Sequence, residues 1–212
     1  MATGEVRDAI REVREIHRRV IESRGFRGYS GRARAISGTL ALAAAAAMAW
    51  GAVPRTPAAH LIGWGAVCAA ALLLNYGALA LWLRSDPQVR RDVRHLLPTV
   101  YPLPAIAAGG VLSAVFIANG HYQYLFGTWM LFFGLANLSS RQFLPRIIWP
   151  LGLYYLACGA AALLLPARAS LDPWLMGIVF FAGEWAGGLA FFFHRSPGAS
   201  LGDFFYLRRR PE

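Results

Sequence analysis

The chain contains no lysine, so its 21 basic side chains are all arginine, and it has only two cysteines. Charged residues are also scarce, at 15% of the 212 positions against 57% hydrophobic ones, a balance that excludes an ordinary soluble domain. The class this implies is a polytopic membrane protein, and the all-arginine, alanine-rich usage suggests a GC-rich bacterial coding bias. Cys68 and Cys158 each sit in the middle of an apolar run, without CxxC or Cys/His spacing. That excludes a disulfide or metal framework and leaves two small buried hydrophobes. There is no GxSxG, no HExxH, no Walker loop and no GxGxxG after a strand, so no enzymatic motif is found and no cofactor is expected.

What is abundant is positive charge, with a formal net charge of +10. The arginines cluster in short segments beside apolar runs, and no aromatic side chains interleave them into a nucleic-acid platform. Direct nucleic-acid binding is therefore discounted. The expected partner of these clusters is the anionic headgroup layer of a membrane.

Nothing near the start resembles a cleavable signal, because Glu5, Asp8, Glu12, Glu15 and Glu22 precede the first apolar run, which begins near Ala35. Six segments reach or approach the roughly 20 apolar residues that a spanning helix requires. They lie at about 35–53, 58–83, 100–118, 122–138, 147–165 and 173–193. The pattern predicts an all-α membrane protein with six transmembrane helices in three short hairpins. Residues 1–34 form a cytoplasmic amphipathic helix and basic linker, 35–194 the transmembrane domain and 195–212 a basic cytoplasmic tail. Thr56-Pro57 and Asp172-Pro173 each set a capping side chain before a proline at the first helical position.

Counting arginines orients the bundle. With both termini in the cytoplasm, 19 arginines face inward and only Arg55 and Arg168 face outward. The positive-inside rule thus predicts a multipass protein of the bacterial inner membrane with cytoplasmic N- and C-termini. Trp64, Tyr122, Tyr124, Trp149 and Trp174, near run ends, fit aromatic belts, and interfacial placement accounts for His60 and His194.

The leader GEVRDAIREVREIHRRVIESRG places Val6, Ile10, Val13, Ile16, Val20 and Ile21 on one arc of a helical wheel and its charges on the other. Such a helix can lie on the inner leaflet, pair in a coiled coil or dock a cytoplasmic protein partner through residues 1–24. The oligomeric state stays open. The segment SDPQVRRDVRHLL reads as a second surface helix, and Asn119, His121 and Gln123 as a polar turn.

Within the sixth run, GIVFFAGEWAGGLAFFFHR carries Glu184, about eleven residues from its outer end and so near the midplane. An ionisable group at that depth is a functional hypothesis that needs a named partner. Asn75 and the Tyr154-Tyr155 pair come closest in depth, with Trp129 as a further donor, and beside them Glu184 is expected to be a neutral, hydrogen-bonding acid. Gly177 and Gly188 share its helical face and leave room for it, while Gly183 and Gly187 form a small-xxx-small pair for helix approach. Two functions are open: a non-enzymatic binding or interaction module, regulatory or accessory, and a small proton-coupled transporter using Glu184.

The leader REVREIHRRVIESR, followed by six runs and the block LFGTWMLFFGLANLSSRQFLPRIIWPLGLYYLACGAA, resembles a group of uncharacterised bacterial six-span integral membrane proteins with an N-terminal amphipathic helix. That resemblance implies no known activity, gives no role to Glu184, and carries at most an expectation of a cytoplasmic regulatory partner.

Overall fold

The computed structural model describes residue 13 and residues 29–54, 56–85, 97–141, 144–166 and 172–205. Their regular elements are all helical: α1 (Gly31–Ala49), α2 (Pro57–Ser85), a single turn α3 (Leu97–Val100), α4 (Leu103–Ala118), α5 (Leu125–Ser139), α6 (Ile148–Leu163), α7 (Pro173–Arg195) and a short α8 (Leu201–Phe205). Two of them, α2 and α7, are long and apolar enough to cross a membrane, and α4 and α6 are shorter apolar helices. The second surface helix expected over Ser85–Leu97 lies, but for its two end residues, outside the described residues, as does nearly all of the leader.

The local signals act where the sequence puts them. Asp172 Oδ1 accepts from the Trp174 amide at 3.0 Å, with Pro173 opening α7, and Thr56 Oγ1 accepts from the Ala59 amide at 3.2 Å at the start of α2. Pro102 occupies the position before α4 without a side-chain cap and Pro104 falls in its first turn, so both mark a helix start. After α1 and α4 the chain reverses through Gly51 and Gly120 at φ 86 and 71, a left-handed conformation that suits glycine at a helix C-terminus. The first helix begins earlier than the hydropathy pattern indicates. Ser30 Oγ accepts from the Ala33 amide at 3.3 Å, which starts α1 at Gly31 and takes Arg32 and Arg34 into it.

Two antiparallel pairs form the centre, α1 with α7 and α5 with α6. Both rest on small residues repeated every seven positions: Gly31, Gly38 and Ala45 on α1, Gly127 and Gly134 on α5, Gly152 and Gly159 on α6. A Cβ on Gly188 of α7 would lie 2.5 Å from the Gly31 carbonyl oxygen, and one on Gly134 would lie 2.8 Å from that of Gly152. Backbone therefore meets backbone in each pair, an approach that larger residues prevent. At the periphery, α2 packs on α1 and α4 on α5. Their outward faces carry exposed Ile62, Leu72, Leu73 and Leu81 on α2, and Ile106, Val111 and Val115 on α4.

Opposed directions within each pair bring Gly31, Ser85, Ser139 and Arg195 to one end of the bundle. Among the described residues, Arg32, Arg34, Arg84, Arg141, Arg146 and Arg195 all lie toward this end, called here the basic end.

The glycine contacts are testable by unfolding in detergent. Gly188→Val should lower stability by about 1–3 kcal/mol or prevent folding, as overpacking does. Gly77→Ala, on a stretch of α2 where an added Cβ meets nothing within 4 Å, should leave stability unchanged or raise it. Equal responses from the two variants would show that the close pair is not what holds the bundle.

Candidate functional site: a buried ion pair joining four helices

Close approach of α1 and α7 determines what meets Glu184. Gly31 of α1 faces Gly188 and Phe192, and Gly38 faces Glu184, so Arg34 projects from the intervening turn toward the carboxylate. Arg34 Nη2 lies 2.9 Å from Glu184 Oε1 and also donates to Asn137 Oδ1 of α5 at 3.0 Å. Tyr155 of α6 donates its hydroxyl to the same Glu184 Oε1 at 2.9 Å. Asn137 in turn donates to the Phe133 carbonyl of its own helix. Arg34 and Glu184 are 9% and 6% exposed, and the guanidinium sits 5.7 Å from the Phe191 ring centre and 6.0 Å from that of Phe133. One polar group from each of α1, α5, α6 and α7 thus converges in an aromatic setting. The network stitches the two glycine-packed pairs to each other.

Several expectations need correction against this geometry. A partner that the sequence reading did not name, Arg34, reaches Glu184 and makes an ion pair with it. Of the partners named for it, Tyr155 is in contact. Tyr154 instead donates to the Val179 carbonyl at 3.1 Å, its ring turned to the neighbouring face of α6. Asn75 donates to Ser37 Oγ and to the Ala71 carbonyl, since α2 packs on α1 and not on α7. Trp129 donates to Ser113 Oγ. The four groups come from different heights on their helices. Glu184 is halfway along α7, but Arg34 is the fourth residue of α1, only about 5 Å from that helix's start at the basic end.

The four glycines of α7 also exchange roles. Gly177 and Gly188 admit α1, at Ala45 and at the Gly31 carbonyl respectively. Gly183 and Gly187 make room for the site itself: Tyr155 occupies the space over Gly183, and a Cβ on Gly187 would lie 2.7 Å from Arg34 Nε. The signal that could have found Arg34 is an arginine within one helical turn of an uninterrupted apolar run, spaced between two glycines seven apart.

A second cluster ties the termini of the described bundle together. Arg32 donates through Nε to the Phe204 carbonyl at 2.9 Å and through Nη2 to that of Asp203 at 2.7 Å, so a cation caps the C-terminal carbonyls of α8. Phe204 is buried among Trp185 and Phe192, with ring centres at 5.8 and 5.1 Å. The Tyr29 ring packs at a tilt against Phe191, and its carbonyl accepts from Arg195. Burial, and then the neighbouring Tyr76, push the Tyr29 hydroxyl up to about 12.

Of the apolar leader positions, only Val13 is described, helical and exposed; Val6, Ile10, Ile16, Val20 and Ile21 lie outside the described residues. No group of three or more histidine, cysteine or acidic side chains that could hold a metal occurs among the described residues. Comparison of the chain with protein-family models, with curated proteins and with solved structures finds no match.

Substitution separates the ion pair's attraction from its desolvation cost. Arg34→Met or Glu184→Met alone should destabilise the protein by about 3–5 kcal/mol, because each strands a buried charge, whereas the double variant should recover most of that loss. The check is a double-mutant cycle from chemical unfolding in detergent. Additive losses would mean that the two groups do not interact.

Proposed function

We propose that the chain is a six-span protein of the bacterial inner membrane, with both termini cytoplasmic, that acts as a non-enzymatic interaction module, regulatory or accessory. The observation that carries this reading is the clasp at the basic end. Arg32, at the start of α1, holds α8, which follows α7, so the first and last described stretches of the bundle lie side by side. That arrangement supports a composite cytoplasmic surface, in which residues 1–24 engage a protein partner and flanking arginines meet anionic headgroups. The gathering of described arginines at the same end supports the orientation. Apolar outward faces on α2 and α4 support contact with lipid.

Proton-coupled transport through Glu184 is the less supported alternative. Arg34 and Tyr155 both donate to Oε1, so the oxygen that a transported ion would use already has two protein partners.

Reporter fusions after Gly120, Ala169 and Glu212 test the topology: exported activity is expected at the first two and cytoplasmic activity at the last, and the reverse pattern at any of them would overturn it. For the interaction reading, removal of residues 1–24 should release a co-purifying protein while the bundle keeps its unfolding temperature. Retention of the same partner would count against the leader as the docking element.

A further inference from the structure

Beyond α7 the chain turns back on the bundle. Residues 196–200 reverse through Gly198 at φ 86 and bring α8 alongside the last turns of α7, where Phe204 meets Phe192 and both Phe204 and Phe205 meet Trp185. At five residues α8 is too short to be stable as an isolated helix. Its first turn, however, is closed on itself. Asp203 Oδ2 accepts from the Ser200 amide at 2.8 Å and from Ser200 Oγ at 3.0 Å, while Ser200 Oγ accepts from the Asp203 amide at 3.3 Å. This reciprocal box shapes the turn without help from the bundle, so α8 is a small preformed unit on a glycine-containing tether.

What fastens the unit is one ring and one cation. Phe204, 4% exposed, sits between Trp185 and Phe192, and the Arg32 guanidinium, 5.6 Å from the Phe192 ring centre, donates to the last carbonyls of α8. Among the described helices none packs extensively on α8, and its outward Leu201 and Phe205 are exposed. The Arg32 contact is open to competition. Its Nε and Nη2 form the fork that an oxyanion fills with two oxygens, yet here they hold two neutral carbonyls, and bonds to a charged acceptor are about twice as strong. Both bonds are only part-buried, at the end of the bundle where the described arginines gather and where the orientation read above sets the anionic leaflet. Release would cost Phe204 its seat, but the leaflet offers another. Freed, Leu201, Phe204 and Phe205 make an apolar cluster of the kind that enters the boundary between headgroups and acyl chains.

We propose that α8 is a latch with two seats, one on the α1–α7 pair through Arg32 and Phe204 and one in the inner leaflet, and that the phosphate of an anionic phospholipid moves it to the second by taking Arg32. The proposal rests on the interaction reading and gives that surface its regulation: latched, α8 covers Trp185 and Phe192, and released, it bares them to a partner.

Bimane fluorescence in nanodiscs tests it, because tryptophan quenches bimane on contact. The full chain with Cys68→Ala, Cys158→Ala and Phe205→Cys carries the dye beside Trp185 and leaves Phe204 in place; Trp185→Phe in the same chain gives the unquenched level. Quenching is expected in phosphatidylcholine discs. In phosphatidylglycerol discs the ratio of docked to released α8 should fall about fivefold, the gain of one arginine at an anionic surface, and high salt should restore it. Arg32→Gln should give the same emission in both lipids. Equal quenching of the unsubstituted Arg32 chain in both lipids, a comparison that needs no variant at Arg32, would overturn the proposal, as would a response to phosphatidylglycerol that survives Arg32→Gln. Inorganic phosphate added to phosphatidylcholine discs should release nothing, and release equal to that by the lipid would overturn the assignment to the leaflet. Both leaflets of a disc are alike, so the result is independent of orientation in the cell: an exported reporter at Glu212 would overturn the orientation and leave the lipid contact standing. Failure of the folded chain to enter discs would overturn the membrane reading and the proposal with it.

Discussion

Direct backbone contact between α1 and α7 is the constraint on which the rest of the arrangement depends. Gly31 and Gly188 let the two helices approach until carbonyl oxygens face α-carbons, and only at that separation can a side chain as long as arginine fold back along the helix to reach Glu184. Dispersion between close backbones acts whatever the solvent, whereas a hydrophobic drive is missing wherever lipid surrounds the helices. A bundle whose outer helices expose leucine and isoleucine along their length is therefore held from its centre. The second pair, α5 with α6, uses the same device, with Gly127, Gly134, Gly152 and Gly159 spaced identically.

Neither pair explains why they adhere to each other, and there the polar network takes over. Arg34 reaches from the first pair to Asn137 in the second, and Tyr155 returns from the second to Glu184 in the first. Burying the four groups separately would be costly. Placed together, Arg34 Nη2, Asn137, Tyr155 and Glu184 pair with one another, while Arg34 Nε is left buried without a hydrogen bond and the rings of Phe133 and Phe191 lie beside the guanidinium. The glycines over which Arg34 and Tyr155 lie, Gly187 and Gly183, belong to this network as much as the charges do.

Much of this was legible in the sequence, and what was not has physical causes. Helical class, cap positions at Thr56 and Asp172, and the contact of Tyr155 with Glu184 follow from apolar runs, prolines and residue counting. Arg34 does not, because a hydropathy reading assigns an arginine at a run's edge to the basic flank and starts the helix after it. Depth counting also fails, since it treats every helix as equally long. α7 overruns α1 at the basic end, so a residue halfway along the one is near the start of the other. Likewise Trp64 and His60 look like interfacial residues by position, and only the packing of α1 and Phe126 over them shows that they are buried.

The ion pair also ties the lengthwise position of α1 to that of α7. A slip of two turns between α1 and α7 would still set Gly38 opposite Gly188 or Gly177, but would carry the other of those two glycines past the end of α1. Such a slip gives up part of the close contact. It would also carry Arg34 about 10 Å from Glu184, leaving two charges buried without partners, each worth several kcal/mol. Replacing the pair by apolar groups would remove that penalty together with the desolvation cost, so a variant of that kind is free to be as stable as the parent and less uniquely arranged. Among the described residues the ion pair thus adds to the glycine contacts a penalty for any displacement of α1 along α7, because moving either charge strands the other.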